Sequence, residues 1–143
     1  IFGYSNKAHD GYLGDSVIGE WCNIGAGTSN SNLKNNASEV RVWHQPQNDY
    51  VRAGLKCGLL MGDHSRCAIN TSFNTGTVVG ICCNIVGEGM PPRHVPNFSW
   101  GNQSLMRYEF EKAMRDISNW KKLKNQGLPD DEINQLRYIF EHS

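Results

Sequence analysis

A six-residue repeat constrains what this chain can fold into more than any other feature of its sequence. Five consecutive hexads run from Met61 to Met90, and the first position of each is apolar: Met61, Cys67, Phe73, Val79 and Ile85. The fifth position of each hexad is small: Ser65, Thr71, Thr77, Cys83 and Gly89. A repeat of this length is typical of a parallel β-helix, in which each flat face of a coil turns one apolar side chain inward.

A shorter copy of the same pattern occurs near the N-terminus. Ile18 and Ile24 are six residues apart, and a glycine follows each of them. An ordinary half-buried strand instead alternates apolar and polar residues with a period of two. The period of six therefore predicts β-helix coils over residues 1–90, and the alternative is a β-sandwich with unusually regular turns.

Two segments depart from this period. Residues 33–60 break the pattern with a strand-like stretch at 39–43 and a turn-rich stretch after it, which predicts a loop or hairpin inserted at a coil corner. Consecutive prolines at 91 and 92 cannot donate to a strand ladder, so we expect the coils to end at Met90 and a linker to occupy residues 91–101.

The C-terminal segment, residues 102–143, carries apolar residues at helical spacing on both sides of Gly127. Pro129 and the acidic residues after it suit a helix start. We expect two helices that pack on the β-helix or on a neighbouring subunit. The predicted fold class is therefore an all-β core with an α tail.

Composition narrows the classes of function. The formal net charge is zero, so nothing attracts the chain to nucleic acid or to an anionic membrane. No run of 18 apolar residues exists, and no membrane span is expected. Five cysteines, an odd number without a Cys-x-x-Cys pair, favour a reducing cytoplasmic setting. The missing start methionine suggests a piece of a longer protein.

The stretch from residue 9 to residue 32 carries a more specific motif than the repeat. It reads His-x-x-Tyr-Leu-Gly-Asp from His9, then Asn-Ile-Gly-Ala-Gly-Thr from Asn23, then Asn32. This motif resembles the acetyltransferase domain of the GlmU family, bifunctional enzymes that make UDP-N-acetylglucosamine. The similarity is closest over residues 7–32 and continues as coil register over 61–90. The whole chain looks most like the C-terminal part of sugar nucleotidyltransferases that share this domain.

The resemblance implies a fold, an assembly and a reaction. The fold is a left-handed parallel β-helix, although parallel strand connections are usually right-handed. The assembly is a homotrimer with active sites between subunits. The reaction is transfer of an acyl group from acetyl-CoA, the co-substrate, to the amine of a sugar phosphate or a sugar nucleotide, with no metal. An upstream nucleotidyltransferase domain is expected in the full-length protein.

The resemblance also assigns roles on the acceptor side of the site. His9 matches the family's general base, a role that suits histidine because its pKa lies near working pH. Tyr12, Asn23 and Asn32 match positions that bind the sugar phosphate or orient groups around it. Lys7 lies one residue from the place of a family lysine and is a further candidate for substrate binding.

On the donor side, the resemblance assigns three positions to acetyl-CoA. Ala26 matches a residue that contacts acetyl-CoA through its backbone. By coil register, Ile69 and Gly87 fall where further contacts to acetyl-CoA occur in the family.

The chain also departs from the family pattern. Leu33 stands where the family has a tyrosine, Lys34 is not at the spacing of a family lysine, and Ile69 replaces a small polar residue. The insertion begins where the acceptor loop is expected. These departures predict an altered acceptor pocket and an acceptor other than glucosamine 1-phosphate, or a site that has lost activity.

Three functional hypotheses follow. The first is an N-acyltransferase that uses His9 as its base. The second is a non-catalytic trimerisation domain attached to a sugar-1-phosphate nucleotidyltransferase. The third is a metal-dependent lyase on the same fold, as in β-helical carbonic anhydrases, for which His64 and His94 lack a convincing third ligand.

Overall fold

Short strands and two terminal helices make up the fold in the computed structural model, which describes residues 1–143. The strands are β1 (Val17–Ile18), β2 (Asn23–Ile24), β3 (Ser29–Asn30), β4 (Arg41–His44), β5 (Asp49–Arg52), β6 (Leu60–Met61), β7 (Arg66–Cys67), β8 (Ser72–Phe73), β9 (Val78–Val79), β10 (Asn84–Ile85), β11 (His94–Val95), β12 (Ser99–Gly101) and β13 (Leu105–Arg107). The helices are α1 (Phe110–Lys122) and α2 (Asp130–Glu141).

Eleven of the thirteen strands form three mostly parallel sheets that the chain visits in turn. Sheet 1 has the order β1-β6-β9-β11, sheet 2 the order β13-β12-β10-β7-β2, and sheet 3 pairs β3 with β8. Within these sheets only β13 is antiparallel to its neighbour. An arrangement in which each circuit of the chain adds one short parallel strand to successive sheets is compatible with a β-helix.

The pairing register measures the insertion. Val17 pairs with Leu60, 43 positions later, whereas Leu60 pairs with Val78, 18 positions later. The extra 25 residues leave the coil after Asn32 and return at Cys57, whose N–H donates to the Asn32 carbonyl at 3.0 Å. Within the insertion, β4 and β5 form an antiparallel hairpin, so the prediction of a loop or hairpin is confirmed.

The side chains at the six-residue positions fill one core. All five residues at the first position of the hexads are buried, as are Ile18 and Ile24. Asn30 occupies the equivalent place on sheet 3. Its side-chain amide is buried and exchanges two hydrogen bonds of 3.0 Å with the backbone of Gly14, so its polar atoms are not stranded in the core. The interior predicted from the period is confirmed at these positions.

The strands continue beyond Met90, which corrects two expectations. β11 and β12 lie inside the segment expected to be a linker and pair with β9 and β10. The three prolines nearby stand outside the strands, so the ladder does not need N–H groups from them. β13 then folds back on β12, so the first helix begins only at Phe110, inside the segment 102–143 expected to be helical.

One corner of the coils, between sheets 1 and 2, is built from residues with left-handed backbone. Tyr4, Trp21, His64, Cys82 and Phe98 all have φ between 53° and 60°. This conformation costs a residue other than glycine about 1–2 kcal/mol. Each successive coil carries this free-energy cost, because each coil has one left-handed residue at this corner.

The helical tail packs on this corner, and its two helices confirm the two that the sequence predicts. Cys82 and Phe98 share a buried cluster with α1 residues and with Leu136 of α2. Neither helix is long and apolar enough to cross a membrane. Burial of this apolar surface offsets the backbone cost of the left-handed corner.

An ionic cluster joins the tail to the same corner. Glu132 of α2 is hydrogen-bonded to His64 Nε2 at 3.0 Å and forms an ion pair with Lys121 of α1. His64 and Lys121 are both buried. Burial lowers the pKa of His64, the Glu132 carboxylate opposes that effect, and the Lys121 ammonium adds to it.

The stability of the chain should therefore fall in mild acid. The unfolded state takes up a proton at His64 near pH 6.5, whereas the folded state resists protonation, so stability is complete above that pH and declines below it. Urea unfolding at pH 7.5 and pH 5.5 measures the difference. His64→Asn should reduce this difference in unfolding free energy, and asparagine is chosen because it tolerates left-handed backbone. His9→Asn, at an exposed site, is the control and should not change the difference. An unchanged pH difference in His64→Asn would contradict the assignment.

Candidate functional site

The corner between sheets 2 and 3 brings together the three residues predicted to contact acetyl-CoA. Strands β2, β7 and β10 pair in register, and each ends two residues before one of these positions. Ala26, Ile69 and Gly87 therefore lie at the same place on successive coils. We call these three residues the open corner, because no helix packs against them and Ile69 is 67% exposed.

The open corner presents a row of backbone donors. The N–H groups of Ala26, Ile69 and Gly87 donate no hydrogen bond within the protein, although the residues one position before them, such as Gly25 and Ala68, do. Unpaired N–H groups at a surface bond to water or to a ligand. The corner can therefore donate to the carbonyl groups of an extended molecule lying across successive coils.

Close backbone contact fixes the spacing of this row. The Asn70 N–H donates to the Ala26 carbonyl at 2.7 Å. Gly25 faces the backbone of the next coil so closely that a Cβ atom there would lie 2.5 Å from Ala68 C and Ile69 N. Only glycine permits this approach, which sets the distance between the donors of Ala26 and Ile69.

His9 lies beside the open corner on the preceding circuit of the chain. The Gly27 N–H donates to the Asp10 carbonyl at 3.1 Å, which places residues 9 and 10 next to Ala26. The His9 side chain is exposed and makes no hydrogen bond within the protein. Lys7 Nζ donates to the carbonyls of His9 and Asp10 at 3.2 and 2.9 Å. In this chain Lys7 therefore holds the turn that carries His9.

Tyr12 and Asn32 form a second polar group near the start of the insertion. Asn32 Nδ2 donates to Tyr12 Oη at 3.0 Å and to Asp15 Oδ2 at 2.7 Å. The contact with Asp15 was not predicted, although Asp15 belongs to the motif that includes Tyr12. Tyr12 is 53% exposed, so the group is open to a ligand.

Asn23 is not brought to this group within one chain. Asn23 lies on β2 of sheet 2, whereas Asn32 follows β3 of sheet 3. The nearest polar partner of Asn23 is Asn6, whose Nδ2 donates to Asn23 Oδ1 at 3.3 Å. The predicted acceptor residues are therefore divided between two sheets of a single subunit.

The residues that depart from the family pattern do not rebuild an acceptor loop. Leu33 is 42% exposed and contributes no polar group. Lys34 Nζ donates to the Glu39 carbonyl at 2.7 Å, so it is tied to the insertion. The acceptor side of the site consequently differs from the pattern at both positions.

The remaining candidate side chains are separated from one another. His64 contacts Glu132, while His94 stacks on Trp43 with ring centroids 4.3 Å apart. No group of three or more His, Cys, Asp or Glu side chains is placed to hold a metal ion. All five cysteines are free, and burial raises the thiol pKa of Cys22 to about 11, which makes that thiol a poor nucleophile at neutral pH.

A cavity beside Asn23 was not predicted from the sequence. It has a volume of about 280 Å³ and is lined by Tyr4, Asn6, Trp21, Cys22, Asn23, Trp120, Leu123 and Lys124. Three of these residues come from the helical tail, nearly 100 positions after Asn23. No spacing in the sequence signals that contact.

Sequence comparisons connect this geometry to known enzymes. The chain is 39% identical over 75 residues to the bifunctional protein GlmU of Methanocaldococcus jannaschii, which is 52% of this chain and 18% of that protein. It is 37% identical over 92 residues to a bifunctional sugar-1-phosphate nucleotidylyltransferase/acetyltransferase of Sulfurisphaera tokodaii, 64% of this chain and 22% of that protein. The chain resembles part of the GlmU-type bifunctional proteins. No family model matches it.

These relatives are much longer than the matched segment. The chain covers about a fifth of the length of each of the two GlmU-type relatives. The resemblance therefore concerns one part of a bifunctional protein.

A substitution at Gly25 tests the close approach of the coils. Gly25→Ala should push residue 25 away from the backbone of Ala68 and Ile69 on the next coil and cost about 1–3 kcal/mol of unfolding free energy, because backbone cannot yield as a flexible side chain does. Gly127→Ala is the matched control, since an added Cβ there meets no atom within 4 Å. Chemical denaturation of both variants measures the cost. Equal stability of the two variants would show that the coils do not touch at Gly25.

Proposed function

We propose that this chain is an acyl-CoA-dependent N-acyltransferase that acts on an amino-sugar phosphate or a sugar nucleotide. The observation that carries the proposal is the row of unpaired N–H groups at the open corner, beside the exposed imidazole of His9. The named activities of the GlmU-type relatives support the same reaction class. We further propose that the coils are left-handed, as the motif resemblance implies.

The open corner fits the elongated arm of acetyl-CoA. That arm carries amide carbonyls, which accept hydrogen bonds from backbone N–H groups, and apolar methylene segments, which favour contact with Ile69 and the 39% exposed Val86. When bound, acetyl-CoA supplies an acetyl group activated as a thioester. The chain's own contribution is a row of donors whose spacing is fixed by the close contact at Gly25.

His9 takes the proton that the acceptor amine loses as its nitrogen bonds to the acyl carbon, and the carbon–sulfur bond of the thioester breaks to release coenzyme A as its thiol. The exposed imidazole of His9 leaves its ring nitrogens accessible to the acceptor amine. Lys7 positions His9 through the turn carbonyls. Tyr12 and Asn32 offer a hydroxyl and an amide to hold acceptor hydroxyl groups, with Asp15 fixing the orientation of the amide.

Self-association is proposed from the outer surface of sheet 1. Val17, Leu60 and Val78 occupy paired positions in adjacent strands and form an apolar row on the outside of that sheet. Val17 is 51% exposed, and a shallow cavity lies along the row. A row of this kind suits contact with another copy of the chain, and we propose a closed homotrimer.

A trimer would also explain the separation of the acceptor residues. Asn23 and Asn32 lie on different sheets of one chain, so both can face one acceptor only if the site is formed between two subunits.

Since the matched relatives are bifunctional, we propose that the full-length protein carries a nucleotidyltransferase domain before this segment.

A second candidate function is a trimerisation domain without catalytic activity. The apolar row on sheet 1 favours this alternative, because association needs neither His9 nor the open corner. Leu33 and the engaged Lys34 favour it as well, since neither supplies an acceptor contact.

Turnover of a His9 variant separates the two candidates. His9→Ala should lower the rate of acyl transfer to an amino-sugar acceptor by about two to four orders of magnitude, because the amine proton loses its acceptor. His142→Ala, an exposed histidine near the C-terminus, should leave the rate unchanged. A thiol-release assay with acetyl-CoA and a panel of amino-sugar acceptors measures both. Equal rates in wild type and His9→Ala, or no turnover by the wild type, would favour the trimerisation domain.

A charge in the apolar row tests the assembly. The wild type should scatter light as a particle of three 16.1 kDa chains. Leu60→Glu should dissociate it, because the carboxylate would lose water at the interface. Leu55→Glu, at a 61% exposed position in the insertion, is the matched control and should remain a trimer. A monomeric wild type would contradict the trimer, and a trimeric Leu60→Glu would place the interface elsewhere.

A further inference from the structure

The cavity beside Asn23 has a distinct chemical character. Three of its eight lining residues are aromatic: Tyr4 and Trp21 from the left-handed corner, and Trp120 from α1. Tyr4 and Trp21 stack with ring centroids 4.2 Å apart and planes within 4°. We call this cavity the aromatic pocket. Walls of this kind favour a flat ring that packs against them.

The polar groups of the aromatic pocket suit an anionic ligand. Asn6 and Asn23 offer two side-chain amides, which both donate and accept hydrogen bonds. Lys124 is the one charged residue in the lining, and no carboxylate accompanies it. Its ammonium donates to the Tyr4 carbonyl at 2.6 Å, which holds it at the edge of the pocket. An ammonium has further donors available for a phosphate.

The position of the pocket sets the length of the ligand. Asn6 stands three residues before His9, and Asn23 stands three residues before Ala26. Three residues of chain span at most about 10 Å. A molecule that occupies the pocket and also reaches His9 or the open corner must bridge a distance of up to roughly that length, which favours one longer than a sugar monophosphate.

We propose that the aromatic pocket binds the nucleoside diphosphate end of a ligand whose other end reaches His9. This inference rests on the proposed acyltransferase function. The base packs against the aromatic rings, the amides of Asn6 and Asn23 bond to its polar edge, and Lys124 pairs with a phosphate. Two ligands carry this chemistry: a nucleotide-linked amino sugar, which is the acceptor, and coenzyme A, which is the donor.

The pocket also assigns a role to the helical tail. Trp120 and Lys124 come from the end of α1 and the residues just after it, and they close over the outer face of sheet 2 beside Asn23. The tail thereby contributes to specificity at a place where Leu33 and Lys34 do not.

Calorimetry on the full chain tests the proposal with UDP, ADP, coenzyme A and glucosamine 1-phosphate as probes. A nucleoside diphosphate should bind the wild type, and Lys124→Gln should weaken that binding about fivefold, as expected for one exposed charge pair. Lys122→Gln is the matched control, because Lys122 is exposed at the end of α1, two residues before Lys124, but does not line the pocket. Quenching of tryptophan fluorescence should accompany binding, since Trp21 and Trp120 line the pocket.

The probes distinguish whether the aromatic pocket binds the acceptor or the donor. Sensitivity to Lys124→Gln for UDP but not for coenzyme A identifies the acceptor, and the reverse identifies the donor. Absence of nucleoside diphosphate binding, equal affinity in both lysine variants, or tighter binding of glucosamine 1-phosphate than of UDP and coenzyme A would overturn the proposal. If binding depends on Lys124 but no acyl transfer occurs, the pocket proposal stands and the acyltransferase proposal fails. If acyl transfer occurs at the same rate in Lys124→Gln as in the wild type, the pocket proposal alone fails.

Discussion

Stacking of successive coils in register is the constraint on which the rest of this structure depends. Ile18, Met61, Val79 and Val95 lie at paired positions of sheet 1 and are all buried, so each coil covers the core of the one before it. A two-residue strand has little stability alone, and it persists because it pairs with a strand of a neighbouring coil and buries one side chain in the shared core. The same register places Ala26, Ile69 and Gly87 at one corner.

The period of six was sufficient to predict the inward residues, but it did not predict where the coils end. The step from Val78 to His94 is 16 residues, whereas the step from Leu60 to Val78 is 18, so the last coil falls out of the repeat that the sequence displays. The prolines near this coil led to the prediction that the coils end at Met90, although these prolines lie between strands and not within them. Strand pairing depends on backbone partners that are distant in the chain, which a local pattern does not specify.

Some features of the candidate site could likewise be predicted from the sequence, whereas others depend on contacts between distant parts of the chain. The open corner follows from register alone, and the contact between Tyr12 and Asn32 agrees with the motif that contains both. The aromatic pocket could not be predicted, because it needs Trp120 and Lys124 to meet Asn23 through the docking of the tail. That docking in turn uses a left-handed corner at which five successive coils carry neither glycine nor asparagine. The corner is defined by a backbone conformation, and that conformation can be predicted from sequence only where glycine or asparagine occurs.

In the function that we propose, the open corner holds acetyl-CoA through its unpaired backbone donors. Amide chemical shifts recorded while acetyl-CoA is added to the isotopically labelled protein test it most directly. We expect the N–H signals of Ala26, Ile69 and Gly87 to move together along one saturating curve, because all three gain an acceptor. Unchanged signals at these three residues, with or without shifts elsewhere in the chain, would contradict it.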